Sequence, residues 1–139
     1  MDGRLDAFVA TAGTGGTVTG TGESLKELIS DLYIGVVEPK GSPVLSGGKP
    51  GPHKLVGTSP GFVPKILNTR IYNEIIQIDD ESAVKTFKDL GRKEGIFVGL
   101  SSAAAVFASI KIAERLGSGK RVLCIAPDTG ERYLSMDLF

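Results

Sequence analysis

A stretch rich in glycine and threonine, Ala10-Thr11-Ala12-Gly13-Thr14-Gly15-Gly16-Thr17, is the strongest local signal in the sequence. It follows an apolar run from Leu5 that is typical of a buried strand, and it precedes residues 19–32, where leucine and isoleucine recur at helical spacing. In such a strand-to-helix turn, glycines let the backbone approach a ligand closely, and the N-terminus of the helix favours negative charge. Threonine hydroxyls add hydrogen-bond donors. The stretch therefore predicts a cradle for an anion such as a phosphate group.

The spacing of the glycines leaves the identity of the anion open. No Gly-Lys-Ser/Thr sequence follows, as a Walker A loop would require, and the third glycine of the dinucleotide-binding fingerprint is missing. The acidic residue about twenty positions further on, Glu38, stands directly before a proline. A tight turn that merely requires glycine is the structural alternative. The residues alone predict a phosphorylated ligand without identifying it.

Composition narrows the class of protein. The chain has 139 residues, which suffice for one domain, and its 16 Lys+Arg balance its 16 Asp+Glu, so no net field favours nucleic acid or an anionic membrane. The single cysteine, Cys124, excludes a disulfide framework and fits a reducing, cytoplasmic compartment. No apolar stretch is long enough to span a bilayer. The single histidine, His53, has no partner at metal-ligand spacing, so we predict no metal site.

Apolar runs and helical periodicities alternate along the chain. We predict strands over residues 5–10, 33–38, 74–78 and 121–126, and helices over residues 19–32, 64–67, 80–94 and 103–116. Asp79 or Asp80 is suited to begin the third of these helices and Gly95 to end it. The alternation predicts an α/β fold with a mainly parallel, twisted sheet flanked by helices, a Rossmann-like three-layer arrangement. Residues 39–60 form a glycine- and proline-rich loop of a length that is usually functional or disordered.

A second group of polar residues follows later strands. Ser101-Ser102 lies at another strand-to-helix turn, where capping of the helix is the simpler interpretation. Ligands of open α/β sheets bind at the carboxyl ends of strands, so Ser101 and the glycine-threonine turn can share one crevice. Asp128, Glu131 and Arg132 follow the fourth strand on the same side. They either support the site or form a local salt bridge and turn.

Together these residues resemble a known family. The resemblance is carried by residues 6–10, 13–17, 37–39, 42–54, 99–102 and 130–135. They are similar to the cysteine synthase (O-acetylserine sulfhydrylase) family of fold-type II pyridoxal-phosphate enzymes. The resemblance covers essentially the whole chain, and the long loop Ser42-Pro43-Val44-Leu45-Ser46-Gly47-Gly48-Lys49-Pro50-Gly51-Pro52-His53-Lys54 is specific to this branch.

The resemblance implies a cofactor, pyridoxal 5′-phosphate, and a reaction. The residues implied to hold the cofactor phosphate are Gly13, Thr14, Gly15, Gly16 and Thr17. Ser101 matches the serine that hydrogen-bonds the pyridine nitrogen, and a neutral hydroxyl there leaves that nitrogen unprotonated, which suits β-elimination and replacement. In the family, O-acetyl-L-serine loses acetate and sulfide adds to give L-cysteine. The resemblance thus implies a homodimeric, cytoplasmic transferase of cysteine biosynthesis with an amino-acid substrate.

The chain departs from the family pattern at two places, and the first of them bears on the substrate. After the long loop the family has Gly-Ile-Gly-Ala-Gly-Phe, whereas this chain has Gly57-Thr58-Ser59-Pro60-Gly61-Phe62. The resemblance places Gly57 and Ser59 on the substrate side, and the serine in place of a glycine leaves open a paralogue that acts on another β-substituted alanine. The family's Ser-Ser-Gly-Ala is here Ser101-Ser102-Ala103-Ala104.

The family's Schiff-base lysine and its substrate-carboxylate loop lie before the phosphate loop. We therefore expect residues 1–139 to be the C-terminal, cofactor-binding portion of such an enzyme, with the N-terminal half absent, no catalytic residue of its own and little or no turnover in isolation. The alternative is a catalytically dead binding or regulatory module. Because the family's cleft captures the C-terminal peptide of serine acetyltransferase, that peptide is an expected partner. Exposed strand edges also predict association with the other half or with itself.

Overall fold

Strands and helices alternate along the chain. In a computed structural model, which describes residues 3–136 and 138, the elements are β1 (Ala7–Thr11), α1 (Gly16–Leu28), β2 (Tyr33–Pro39), β3 (Glu74–Ile78), α2 (Asp80–Asp89) with a following π-helical turn (Leu90–Glu94), α3 (Leu100–Leu116), β4 (Val122–Cys124) and a 3₁₀ segment (Gly130–Met136). No helix in this described part of the chain has both the length and the apolar character needed to cross a membrane.

The four strands form one parallel sheet in the order β3-β2-β1-β4. Strand β1 lies between β2 and β4, with Ala7 opposite Tyr33 on one side and Val122 on the other. Because every adjacent pair is parallel, the carboxyl ends of all four strands meet at one edge of the sheet. The predicted parallel α/β sheet is confirmed.

Helices cover both faces of this sheet. Phe8 and Ala10 of β1 lie in the core cluster that contains Val18 of α1, whereas Ala7 and Val9 lie in the cluster formed with α2 and α3. Alternating side chains of one strand thus enter two separate cores, as the period of a strand requires. The predicted three-layer arrangement is confirmed.

Helix α1 shows where helical periodicity misleads. The prediction ended this helix at Leu32, but α1 ends at Leu28, whose side chain is 82% exposed, and Ile29 has an extended backbone with φ −136°. Leu32 is buried, but it lies in the segment between α1 and β2 and not on the helix. The helix also begins earlier than predicted, at Gly16.

The predicted helix over residues 64–67 is wrong. Pro64 and Leu67 belong to a single turn, closed by the Leu67 N–H donating to the Pro64 carbonyl at 3.1 Å. The strand boundaries also differ, since β1 begins at Ala7 and β4 spans three residues only. By contrast, the caps of α2 and its π-helical extension are as predicted. The Asp79 carboxylate accepts from the Ser82 N–H at 2.7 Å, and Gly95 is left-handed with φ +66°.

The long loop after β2 is ordered by one buried carboxylate. Glu38 is 1% exposed and accepts hydrogen bonds from the Leu45 N–H (2.8 Å), the Ser46 hydroxyl and the Gln77 amide (3.3 Å). These bonds satisfy a charge that would otherwise be costly to bury. The loop is thereby held against the carboxyl edge of the sheet, where its residue Gly57 contributes to the site described next.

Candidate functional site

A cavity of about 320 Å³ lies at the carboxyl edge of the sheet, between the start of α1 and the start of α3. Its walls come from four segments of the chain. The lining residues are Thr11, Gly13, Thr14, Gly15, Thr17, Val56, Gly57, Thr58, Ser101, Pro127, Asp128, Arg132 and Tyr133. The prediction that Ser101 and the glycine-threonine turn share one crevice is confirmed. Gly16 is exposed, begins α1 and lies outside this wall.

Packing within the protein accounts for two of the glycines. Gly15 has φ +87°, and a Cβ atom there would lie 2.6 Å from the Cβ of Leu67. A Cβ atom on Gly13 would lie 2.5 Å from the carbonyl oxygen of Gly57. Real Cβ atoms do not approach neighbours this closely, so both positions require glycine whatever the cavity holds. The tight-turn alternative therefore explains these two residues.

Packing does not explain why backbone N–H groups of the same turn lack hydrogen-bond acceptors. Within the described residues, the N–H groups of Gly13, Gly15 and Thr17 have no acceptor, and the Gly16 N–H reaches the Thr14 hydroxyl only at 3.4 Å. Helix α1 has neither a side-chain cap nor an acidic residue in its first turn. Unpaired N–H groups at an uncompensated helix N-terminus form a site for an anion. The turn therefore fits a phosphate group.

On the opposite wall, Ser101 offers a free hydroxyl. The residue is 4% exposed and lies in the first turn of α3, and its side chain forms no hydrogen bond with any described residue. Ser102 is directed elsewhere, with its hydroxyl 3.4 Å from Oδ1 of Asp128. Neither serine is the predicted cap, because Gly99 occupies the N-cap position of α3.

The two predicted substrate-side residues lie in different places. Gly57 lines the 320 Å³ cavity and also an adjoining apolar groove of about 700 Å³. Ser59 lines neither of them. Its hydroxyl donates to the Ser42 carbonyl at 2.9 Å, its N–H donates to the Ala12 carbonyl at 2.9 Å, and its φ is +45°. Ser59 thus ties the long loop to the chain just before the glycine-threonine turn.

The segment after β4 contributes a residue that sequence reasoning missed. Tyr133 is buried and donates its phenolic hydrogen to Oδ2 of Asp128 at 2.7 Å. Burial, followed by this hydrogen bond and the charge of Asp128, raises the pKa of Tyr133 to about 12. Arg132 lies 4.0 Å from the same carboxylate, so the predicted local ion pair is present on the cavity wall. Glu131 is exposed and does not line the cavity.

One protein family matches almost the whole chain. Residues 1–128 match the family described as pyridoxal-phosphate dependent enzymes. The chain belongs to this family. It is 64% identical over 135 residues to a probable cysteine synthase of Bacillus subtilis, covering 97% of this chain and 43% of that protein. The chain therefore spans less than half the length of this relative. The resemblance to cysteine synthases seen in the sequence is confirmed.

Solved structures of the family share this fold. A cysteine synthase of Entamoeba histolytica superposes with a TM-score of 0.96 at 42% identity, covering 99% of this chain and 41% of that chain. An O-acetylserine dependent cystathionine beta-synthase of Helicobacter pylori superposes with a TM-score of 0.94 at 40% identity, covering 100% of this chain and 45% of that chain. The likeness therefore extends to more than one kind of reaction.

Proposed function

We propose that the 320 Å³ cavity binds pyridoxal 5′-phosphate, with its phosphate group on the turn from Gly13 to Thr17 and its pyridine nitrogen at Ser101. The observation that supports this most directly is the pair of complementary groups on facing walls. Among the described residues, one wall carries backbone N–H groups without an acceptor at a helix N-terminus, and the other carries the hydroxyl of a buried serine that forms no hydrogen bond. The volume is at the lower end of the range for small-molecule sites.

The chemistry follows from the family and from Ser101. When bound, pyridoxal phosphate supplies the electron sink for replacing a substituent on the β-carbon of an amino acid. The Ser101 hydroxyl would donate a hydrogen bond to the ring nitrogen and, being neutral, would not transfer its proton to it. We propose that the complete enzyme replaces the acetate of O-acetyl-L-serine with sulfide to give L-cysteine in the cytoplasm.

We propose that this chain holds the cofactor without covalent attachment. All of its lysines fall within the described residues, and none of them lines the 320 Å³ cavity. Lys65 lines the adjoining apolar groove instead. The chain by itself is therefore expected to bind cofactor reversibly and to form no cysteine.

The test uses 4′-deoxypyridoxine 5′-phosphate, an analogue that has the ring and the phosphate group but no aldehyde. The chain should bind it, and pyridoxal without the phosphate group should bind far more weakly. Failure to bind the phosphorylated analogue would overturn the cofactor site. Separately, borohydride treatment with pyridoxal phosphate should label no single lysine stoichiometrically. Stoichiometric labelling, or cysteine formation by the chain alone, would contradict the non-covalent part of the proposal.

A second function, peptide binding, is favoured by the apolar groove beside the cavity. Phe62 and Ile66 line it and are 61% and 65% exposed. Such a patch bordered by polar residues is typical of an interaction site. We propose that it receives the C-terminal peptide of serine acetyltransferase or the second subunit of a homodimer. Titration with that peptide should show saturable binding that Phe62→Ala weakens, and sedimentation decides whether the chain is dimeric. Binding unaffected by Phe62→Ala would exclude the groove.

A further inference from the structure

Asp128 lies against the first turn of α3 although it belongs to another segment. Its carbonyl accepts from the Gly99 N–H at 3.0 Å, and its Oδ1 lies 3.4 Å from the Ser102 hydroxyl. The contact is so close that a Cβ atom on Gly99 would lie 2.0 Å from Oδ1. The carboxylate thus occupies the space that a side chain at the N-cap position would need.

The N-terminus of helix α3 lacks a negative charge of its own, and the Asp128 carboxylate supplies one. The N-cap residue, Gly99, makes no side-chain hydrogen bond, and the first turn of this 17-residue helix contains no acidic residue. A helix N-terminus has unpaired N–H groups and a partial positive charge, which a nearby carboxylate stabilises. Asp128 supplies that charge from outside the helix.

Tyr133 holds the Asp128 carboxylate in this place. Its hydroxyl donates to Oδ2 at 2.7 Å, which leaves Oδ1 facing Ser102. The raised pKa of the Tyr133 phenol keeps its proton in place across the neutral range, so the donor is permanent. Tyr133 is buried and Asp128 is partly buried, and the two side chains form a short chain of hydrogen bonds that ends at α3.

We propose that Asp128 and Tyr133 are positioning residues, which fix the first turn of α3 and thereby direct the Ser101 hydroxyl into the cavity. The Ser101 hydroxyl forms no hydrogen bond with the residues that the structure describes, so its orientation depends on its neighbour Ser102 and on the turn that contains both. This role rests on the proposed cofactor site, because it matters to a ligand only if the ring nitrogen lies at Ser101.

The test compares three variants of the full chain. Asp128→Asn removes the charge and keeps the shape, and Tyr133→Phe removes the donor and keeps the ring. Glu131→Gln is the matched control, since it removes one carboxylate from the same segment at an exposed position that does not line the cavity. Two probes are titrated, inorganic phosphate and 4′-deoxypyridoxine 5′-phosphate. Amide hydrogen exchange at residues 99–102 is measured without any probe.

Asp128→Asn and Tyr133→Phe should each lower the affinity for 4′-deoxypyridoxine 5′-phosphate about fivefold, the change expected for a displaced hydrogen bond. Their affinity for inorganic phosphate should stay within about twofold of that of the unmodified chain. Both should also accelerate exchange at residues 99–102 about fivefold. Glu131→Gln should change none of these quantities. A purely structural role would weaken both probes alike and would not single out the ring.

Three results would overturn the positioning role. One is unchanged exchange at residues 99–102 in both variants, another is equal weakening of the two probes, and the third is the same behaviour in Glu131→Gln. If the unmodified chain binds neither probe, the proposed function fails instead, and the exchange rates still decide whether Asp128 and Tyr133 order the start of α3. Because Tyr133→Phe leaves the charge in place, it remains informative if Asp128→Asn does not fold.

Discussion

The cavity is bounded by two helix starts that are built in opposite ways. At α1, glycines pack against Leu67 and Gly57, the backbone N–H groups of the turn lack acceptors among the described residues, and the first turn of the helix contains no acidic residue. At α3, buried side chains form the wall, and Asp128 supplies a carboxylate from another segment. The wall at α1 requires two positions without a Cβ atom, Gly13 and Gly15, whereas the wall at α3 depends on hydrogen bonds between side chains. Substitutions should therefore affect stability most at the first and ligand preference most at the second.

The largest effect is expected at Gly15. Gly15→Ala should lower the free energy of unfolding by about 2–4 kcal/mol, because φ +87° is strained for alanine and its Cβ would overlap Leu67. Urea denaturation measures the change. The neighbouring Gly16→Ala is the control, since its Cβ would have 3.6 Å to the nearest atom and alanine favours a helix. Equal destabilisation by both substitutions would contradict the packing explanation.

The second effect is a pH dependence of stability that arises at the wall beside α3. The pKa of Tyr133 is raised from 10.0 to about 12. A raised tyrosine pKa means that the unfolded chain loses this proton first, so the stability it contributes is complete below pH 10 and is lost as the pH rises toward 12. The free energy of unfolding of the unmodified chain should fall by about 2 kcal/mol over this pH range because of Tyr133, and Tyr133→Phe should abolish that fall. Identical alkaline limbs in the two proteins would be incompatible with the buried hydrogen bond.

Ser101→Ala should act on the ligand and not on the fold. We expect about tenfold weaker binding of 4′-deoxypyridoxine 5′-phosphate, an unchanged affinity for inorganic phosphate, and a melting temperature within about 2 °C of the unmodified chain. The reason is that this hydroxyl has no hydrogen bond to lose within the described residues. Fluorescence titration and thermal unfolding test both parts. A fall in phosphate affinity would show that the walls are not independent.

The smallest effect is expected at Ser59, which lies outside both walls. Ser59→Gly relieves the backbone strain at φ +45° but removes the hydrogen bond to Ser42, two contributions of about 1 kcal/mol and opposite sign. The net change in stability should stay within about 0.5 kcal/mol. Ser59→Ala keeps the strain and loses the bond, so it should be about 1 kcal/mol less stable. The difference between the two variants isolates the strain.

Sequence patterns predicted the strands, turns and helices that depend on residues close together in the chain. The strand, turn and helix around Gly13 to Thr17 follow from apolar runs and glycine spacing, and the shared edge with Ser101 follows from parallel strands. The end of α1 did not follow, because Leu28 and Leu32 have the same helical spacing although only one is buried. Periodicity does not distinguish a leucine buried by a helix from one buried by the next segment.

Contacts between distant segments could not be predicted in this way. The direction of the Ser59 hydroxyl depends on where the long loop places Ser42, and that loop has no periodicity. The bond from Tyr133 to Asp128 lies within one short segment, but its significance comes from the proximity of α3, which only the folded chain creates. Sequence reasoning therefore found the residues that line the cavity more readily than those that support it.

The two helix starts also give the cavity a direction. The end at α1 keeps its uncompensated positive potential, whereas Asp128 offsets the potential at α3. At the proposed cofactor site, we expect a ligand with a doubly charged group at one end and a neutral ring at the other to bind with the charged group at α1. The reverse orientation would place the two negative charges beside the Asp128 carboxylate, whose charge Arg132, 4.0 Å away, offsets in part. The two helix starts would thus distinguish the two ends of the same molecule.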